Sequence, residues 1–147
     1  MTWIDVKNEE NAKELMESFG HFHDSCIKEA HLWTEHRVHE DLSMSCSGDL
    51  DTSIKFVVQR QFKNPTCIEL LFESVTRINI VPTPENYDQI IYEALIGVEE
   101  GELFWAVDSQ NNPSNLEPSE DTWIKSKRLN WRVADDKIGK ELSYGNT

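Results

Sequence analysis

Five histidines, His21, His23, His31, His36 and His39, fall within 19 consecutive positions of a 147-residue chain. Residues two apart in an extended segment point the same way, so His21 and His23, with Asp24 beside them, make a group of the kind that ligates zinc or another transition metal. That chemistry defines one reading, a small metal-dependent enzyme or metal-binding module centred on His21, His23 and Asp24. No other segment offers an evident third and fourth ligand. The competing reading makes His23-Asp24 a cap between a helix and a strand, its carboxylate accepting backbone N–H groups as Asp does in turns. Nucleophilic catalysis has less behind it. There is no G-x-S-x-G turn and no glycine-rich phosphate cradle, and the whole chain has six glycines. Ser25 or Cys26 near His23 could be drawn as a dyad, but residues three apart on a strand face opposite ways. The chain reads as a non-enzyme with no cofactor.

The clearest signal is segregated charge. The chain carries −13 at pH 7, and the 47 residues between Arg77 and Lys125 include no Lys or Arg. Glu85, Asp88, Glu93, Glu99, Glu100, Glu102, Asp108, Glu117, Glu120 and Asp121 place ten negative charges there, interleaved with Tyr87, Tyr92, Phe104 and Trp105. An aromatic anchor inside a charged rim is how protein interfaces are built, and a cationic partner relieves the mutual repulsion of uncompensated carboxylates. The expected docking face is the hairpin from about Ile90 to Asp108. Trp105 or Phe104 would be its anchor, and Glu93, Glu99, Glu100, Glu102 and Asp108 its steering rim. The plainer alternative is a solvated hairpin whose aromatics all pack inward. Lys125, Lys127, Arg128 and Arg132 read as cross-strand partners of carboxylates rather than a nucleic-acid surface. Net charge disfavours nucleic acid and anionic membranes as partners.

Elements that could position these groups follow from periodicity. At 147 residues the chain suits one domain able to bury a core without disulfides. Ala12, Leu15, Met16 and Phe19 lie at helical spacing and Gly20 follows, which predicts one short amphipathic helix in residues 1–20. From there the period is two. Strands are expected over Ser25–Glu35, Asp41–Gly48, Ser53–Phe62 and Cys67–Val75, with Thr76–Val81 a fifth strand or a continuation of the fourth. Pro82 and Pro84 end that run. Residues 86–96 fit either a helix or a strand, and a strand from about Ile90 to Val98 is favoured because Glu99-Glu100-Gly101-Glu102 and the alternating Leu103, Trp105 and Val107 complete a hairpin. Gln110–Asp121 reads as a loop, Thr122–Val133 as the last strand, and residues 135–147 as a flexible polar tail. The fold expected is mainly β: a helix followed by a curled antiparallel sheet of about seven strands, as a sandwich or partial barrel. No apolar run approaches the roughly 20 residues of a membrane-spanning helix, and residues 1–5 lack a signal-peptide pattern. With three cysteines, Cys26, Cys46 and Cys67, expected reduced and buried, the reading is a soluble cytoplasmic protein.

The pattern His23-Asp24-Ser25-Cys26-Ile27-Lys28-Glu29, opening a first strand after a short helix, resembles small bacterial immunity-type and uncharacterised proteins encoded beside polymorphic toxins. The run Cys67-Ile68-Glu69-Leu70-Leu71-Phe72 and the closing Leu129-Asn130-Trp131-Arg132 are similar to later strands of such proteins. The resemblance implies an all-β or α+β protein without catalysis that neutralises a toxin domain, often a basic nuclease. It supplies no binding residues. Together these readings describe an immunity or inhibitor protein that binds a basic partner through an acidic face. The metal-dependent module is the alternative, and a small ligand held in an open barrel is a third.

Overall fold

In the computed structural model, which describes residues 2–107 and 121–145, the helix forms where its spacing predicts. Helix α1 spans Glu9–Ser18, and the Asn8 side chain accepts the Asn11 N–H at its start, with Glu9 and Glu10 placed favourably against the dipole of the first turn. Ala12, Leu15 and Met16 are buried, and Gly20 follows in the left-handed region at φ 58°. A Cβ there would lie 2.8 Å from Arg60 Nη1, so glycine answers both a conformational and a steric demand. Arg60 lies over the Phe19 ring and donates to the carbonyls of Ser18, Asn64 and Pro65, which ties the helix end to a strand and to the turn beyond it.

The strands are β1 (Ile4–Val6), β2 (Ser25–Trp33), β3 (Arg37–Val38), β4 (Met44–Ser45), β5 (Ser53–Arg60), β6 (Cys67–Asn79), β7 (Ala94–Glu99), β8 (Glu102–Val107) and β9 (Trp123–Val133). Seven form one antiparallel sheet in the order β2-β5-β6-β9-β8-β7, with β1 also paired to β9. The fold class is therefore mainly β with one helix. The sheet curls without closing into a barrel, and a single bridge between Ser25 and Ile91 joins the start of β2 to the chain leading into β7. Thr76–Val81 continues the fourth expected strand to Asn79, past a bulge between Val75 and Arg77.

Two strands differ from expectation. Residues 41–48 contribute only the Met44–Ser45 pair, matched to β3 in a small ribbon outside the main sheet. Leu42 is 84 % exposed there, because no facing layer exists to bury its side of the alternation. The strand expected from Ile90 begins at Ala94. Upstream of it the Gln89 side chain exchanges two hydrogen bonds with the Thr83 backbone, and Asp88 accepts the Ile90 N–H. Those local bonds curl the segment into a turn of its own. At the hairpin tip Glu100 and Gly101 both have positive φ, the two-residue turn that the Gly-containing tip predicts.

The concave face of the sheet is packed by α1 and the turn after it. Trp105 is met edge-on by Phe22 at 5.7 Å and Phe56 at 5.5 Å between ring centres, and Phe56 in turn meets Phe72. On the outer face, Glu69 is 1 % exposed and takes Lys55 Nζ at 2.7 Å, Arg132 Nε at 2.7 Å and Lys137 Nζ at 3.1 Å. Burial alone would raise its pKa, but the three cations outweigh that and hold it below the ordinary range.

Residues 135–145, polar enough to read as a loose tail, lie across this outer face. Gln59 Nε2 donates to the Lys137 carbonyl and Lys28 Nζ to that of Leu142. The Glu29 carboxylate accepts Ser143 Oγ and the backbone N–H groups of Tyr144 and Gly145. Periodicity carries no sign of this because two buried carboxylates hold the segment, not an apolar stripe. Desolvation would lift Glu29, yet its bonds from Ser143, Tyr144, His31 and Gly145 bring it down from 4.5 to about 2.

Two outcomes follow. Glu69→Ala leaves three cations around an empty acceptor and should cost about 3–5 kcal/mol in urea unfolding. A carboxyl whose folded pKa lies below its unfolded one contributes stability above the unfolded value and loses it as pH falls through the folded value. The Tyr144 and Gly145 amide resonances should thus titrate with a midpoint near 2 rather than near 4.5, and Glu29→Gln should abolish that titration.

Candidate functional site

The histidine group disperses when folded. His21 is exposed at φ 56° in the short turn after α1, and His23 has its Nδ1 2.8 Å from the Tyr92 carbonyl and its Nε2 3.4 Å from Asp24. His31 meets Glu29, His36 meets Asp51, and His39 meets Ser45. Among the described residues no group of three or more His, Cys, Asp or Glu side chains could hold a metal ion. His23 instead links the end of the helical turn to the chain entering β7, beside the Ser25–Ile91 bridge.

The acidic hairpin divides into two parts. Glu93 stands just before β7 and Glu99 at its far end, a separation of about 20 Å at the rise of an extended strand. That exceeds the screening length of about 8 Å at physiological salt, so the two ends act as separate patches. At the tip, Glu100 is exposed, whereas Glu102 is half-buried with its carboxylate 3.1 Å from Lys125 Nζ. The cation missing from the hairpin's own sequence thus comes from β9, whose Lys125 lies opposite Phe104 in the ladder. Glu85, Asp88 and Glu93 are exposed. Asp108 lies outside the described residues, as does the expected loop apart from Asp121.

Neither expected anchor is presented to a partner. Trp105 is 0 % exposed in the main core, and Phe104 is 1 % exposed on the opposite face with Ala106 and Trp123. The reason is topological: β8 is an interior strand between β7 and β9, and both of its faces are covered. Just upstream of β7, Tyr87 is 73 % and Tyr92 68 % exposed, while Phe62, also exposed, stands apart from the acidic segment in the β5–β6 turn.

Tyr87 borders a groove of about 970 Å³ between the start of β2 and the 80–91 segment, lined also by Ile27, Ile80, Pro82 and Ile90 among others, with Asp121 and Thr122 at one side. Sequence reasoning passed over it because its walls come from three distant stretches. The one signal present was the pair Pro82 and Pro84, which cannot donate to a strand ladder and so leave a gap where the sheet would otherwise continue.

No protein-family model matches the sequence, and no curated protein or solved structure matches it. Among the described residues no helix is long and apolar enough to cross a membrane.

All three cysteines are free, but they are not alike: Cys67 is buried, Cys26 partly buried, and Cys46, expected inside, is exposed on the β4 ribbon. Burial, reinforced by Glu69 and Asp135, pushes the Cys67 thiol up to about 12, and burial also raises Cys26. Native thiol titration should therefore find Cys46 reacting first, Cys26 slowly, and Cys67 only on unfolding. Fast labelling of Cys67 in native protein would show that residues 135–145 do not cover it.

Proposed function

We propose that this chain is a non-enzymatic binding protein that docks a basic partner protein through the acidic segment leading into β7. The observation that carries the reading is the conjunction, on one exposed stretch, of Glu85, Asp88 and Glu93 with the exposed rings of Tyr87 and Tyr92. No ion pair compensates these three carboxylates among the described residues. Aromatic side chains offer large, stiff contact area, and a surrounding ring of carboxylates steers a cationic surface toward them. The resemblance to immunity-type proteins adds the class of partner: a toxin domain such as a basic nuclease, held stoichiometrically and without turnover. In this reading Tyr87 and Tyr92 replace Trp105 and Phe104 as anchors. The hairpin-tip residues Glu99 and Glu100 contribute at longer range.

Changing Glu85 and Glu93 to Gln and Asp88 to Asn removes three charges while keeping the acceptor that Asp88 offers the Ile90 N–H. Thermal stability should stay level or rise slightly. Association with a basic protein captured from the native cell and purified should slow roughly tenfold at low salt and lose most of its salt dependence. An unchanged association rate in the triple variant at low salt would leave the carboxylates as solubilising charge alone.

A further inference from the structure

The groove beside β2 is more than an apolar hollow, because one of its walls is an unfinished ladder. Ser25 and Ile91 exchange both backbone hydrogen bonds, Ile91 N to Ser25 O at 2.7 Å and Ser25 N to Ile91 O at 3.4 Å. Backbone groups along an antiparallel strand alternate in direction, so Cys26 turns toward β5 and Ile27 turns its N–H and C=O outward again. Continued by one step, the register would set Ile27 opposite Gln89. That pair does not form. Gln89 spends its side-chain amide on Thr83, the Tyr87 N–H bonds the Pro84 carbonyl, and Pro82 and Pro84 have no N–H to give. The outward groups of Ile27 meet no partner among the described residues, and Ile27 is one of the residues lining the groove. The edge is in pairing geometry, as the Ser25–Ile91 bridge demonstrates, and the chain's own 83–90 turn is locked away from it.

We propose that the groove receives an extended segment of the partner as an added antiparallel strand on β2, and that this segment alternates apolar and basic residues. The inference rests on the acidic-docking reading and specifies how the contact is made. Side chains of an added strand point alternately to its two faces. One set would meet Ile27, Ile80 and Ile90. The other would face the rim, where Glu85 and Asp88 flank Tyr87, with no Lys or Arg among the lining residues. An acidic or neutral strand would satisfy the backbone but not the rim. A compact basic surface would satisfy the rim but leave Ile27 unpaired.

The test uses the full-length ¹⁵N-labelled protein and a capped eight-residue peptide of alternating Lys and Val. Its shift changes should centre on Ile27 and on residues 89–91, and exchange of the Ile27 N–H should slow at least tenfold at saturation. A Glu–Val peptide should not bind. A Lys–Val peptide N-methylated along one edge should bind at least tenfold more weakly, and Glu85→Lys should weaken the Lys–Val peptide, all without disturbing the β2–β5 ladder. Equal binding of the N-methylated peptide, or shifts confined to Glu99 and Glu100, would overturn strand addition while leaving the acidic-docking reading standing. That reading falls separately, by the association kinetics of the triple charge variant. Two further results would overturn the proposal by assigning the edge elsewhere. Protection of Ile27 that rises with protein concentration alone would give it to a second copy. Protection lost when residues 110–119 are replaced by a short Gly-Ser linker would give it to the chain itself.

Discussion

The outer face of the sheet depends on the Glu69 carboxylate. It sits on β6, takes Lys55 from β5 and Arg132 from β9 on either side, and takes Lys137 from the segment that crosses above them. A buried carboxylate is tolerable only when its lone pairs are fully engaged, and here three cations converge on two oxygens. The interaction joins three neighbouring strands across a face that would otherwise be open to water. It also brings residues 135–145 down over Val57, Cys67 and Ala134, which form a small second core. Arg132 extends the network by lying 4.1 Å over the Trp3 ring, so the chain before β1 is held by the same cluster. With the inner face packed by α1 and the outer face of β2, β5 and β6 crossed by the C-terminal segment, the sheet has few places left to meet another molecule.

What remains is the edge. The aromatic residues that would make an anchor on a two-layer protein are consumed by packing: Trp105 beneath the helix and Phe104 on the other side of β8. The acidic segment upstream of β7, by contrast, begins with Pro82 and Pro84, and it turns on itself through Thr83, Asp88 and Gln89. This leaves Tyr87 and Tyr92 outside and keeps β2 from completing the curl of the sheet. Exposed rings, uncompensated carboxylates and an unfinished ladder all trace back to one stretch of chain that cannot become a strand.

Much of the architecture was legible from residues alone, and the reason is local in each case. Gly20 marks the end of the helix, Gly101 marks the hairpin tip, and the run through Cys67–Val75 marks a strand in the middle of the sheet. The candidate site was only partly legible. Alternation tells which residues share a face but not whether both faces are covered, so Phe104 could not be known to be buried. Absence of lysine from residues 78–124 signalled an uncompensated acidic run, and Lys125 read as a cross-strand partner of a carboxylate, but that this partner is Glu102 depends on a ladder no local pattern encodes. The same limit hid the hold of Glu29 on residues 143–145, since its partners are more than a hundred positions away. His21, His23 and Asp24 show the converse. Close in sequence, they form no ligand group among the described residues: His23 keeps Asp24 at 3.4 Å, and the turn between them, in which His21 and Asp24 both adopt positive φ, brings in no third ligand.

The bulge between Ile27 and Glu29 bears on how many copies of this molecule can share a solution. An open strand edge is a template for aggregation, and natural sheets blunt such edges with irregular twist and with charge. Here the extra residue at Lys28 shifts the register beyond Ile27 and twists the edge, so β2 suits a short added strand and not a long flat one. Two identical chains meeting edge to edge would also press Glu85 and Asp88 of one against the same pair of the other. The groove is therefore selective against its own kind, and the selectivity is electrostatic. It weakens in concentrated salt, where the molecule becomes more prone to self-association.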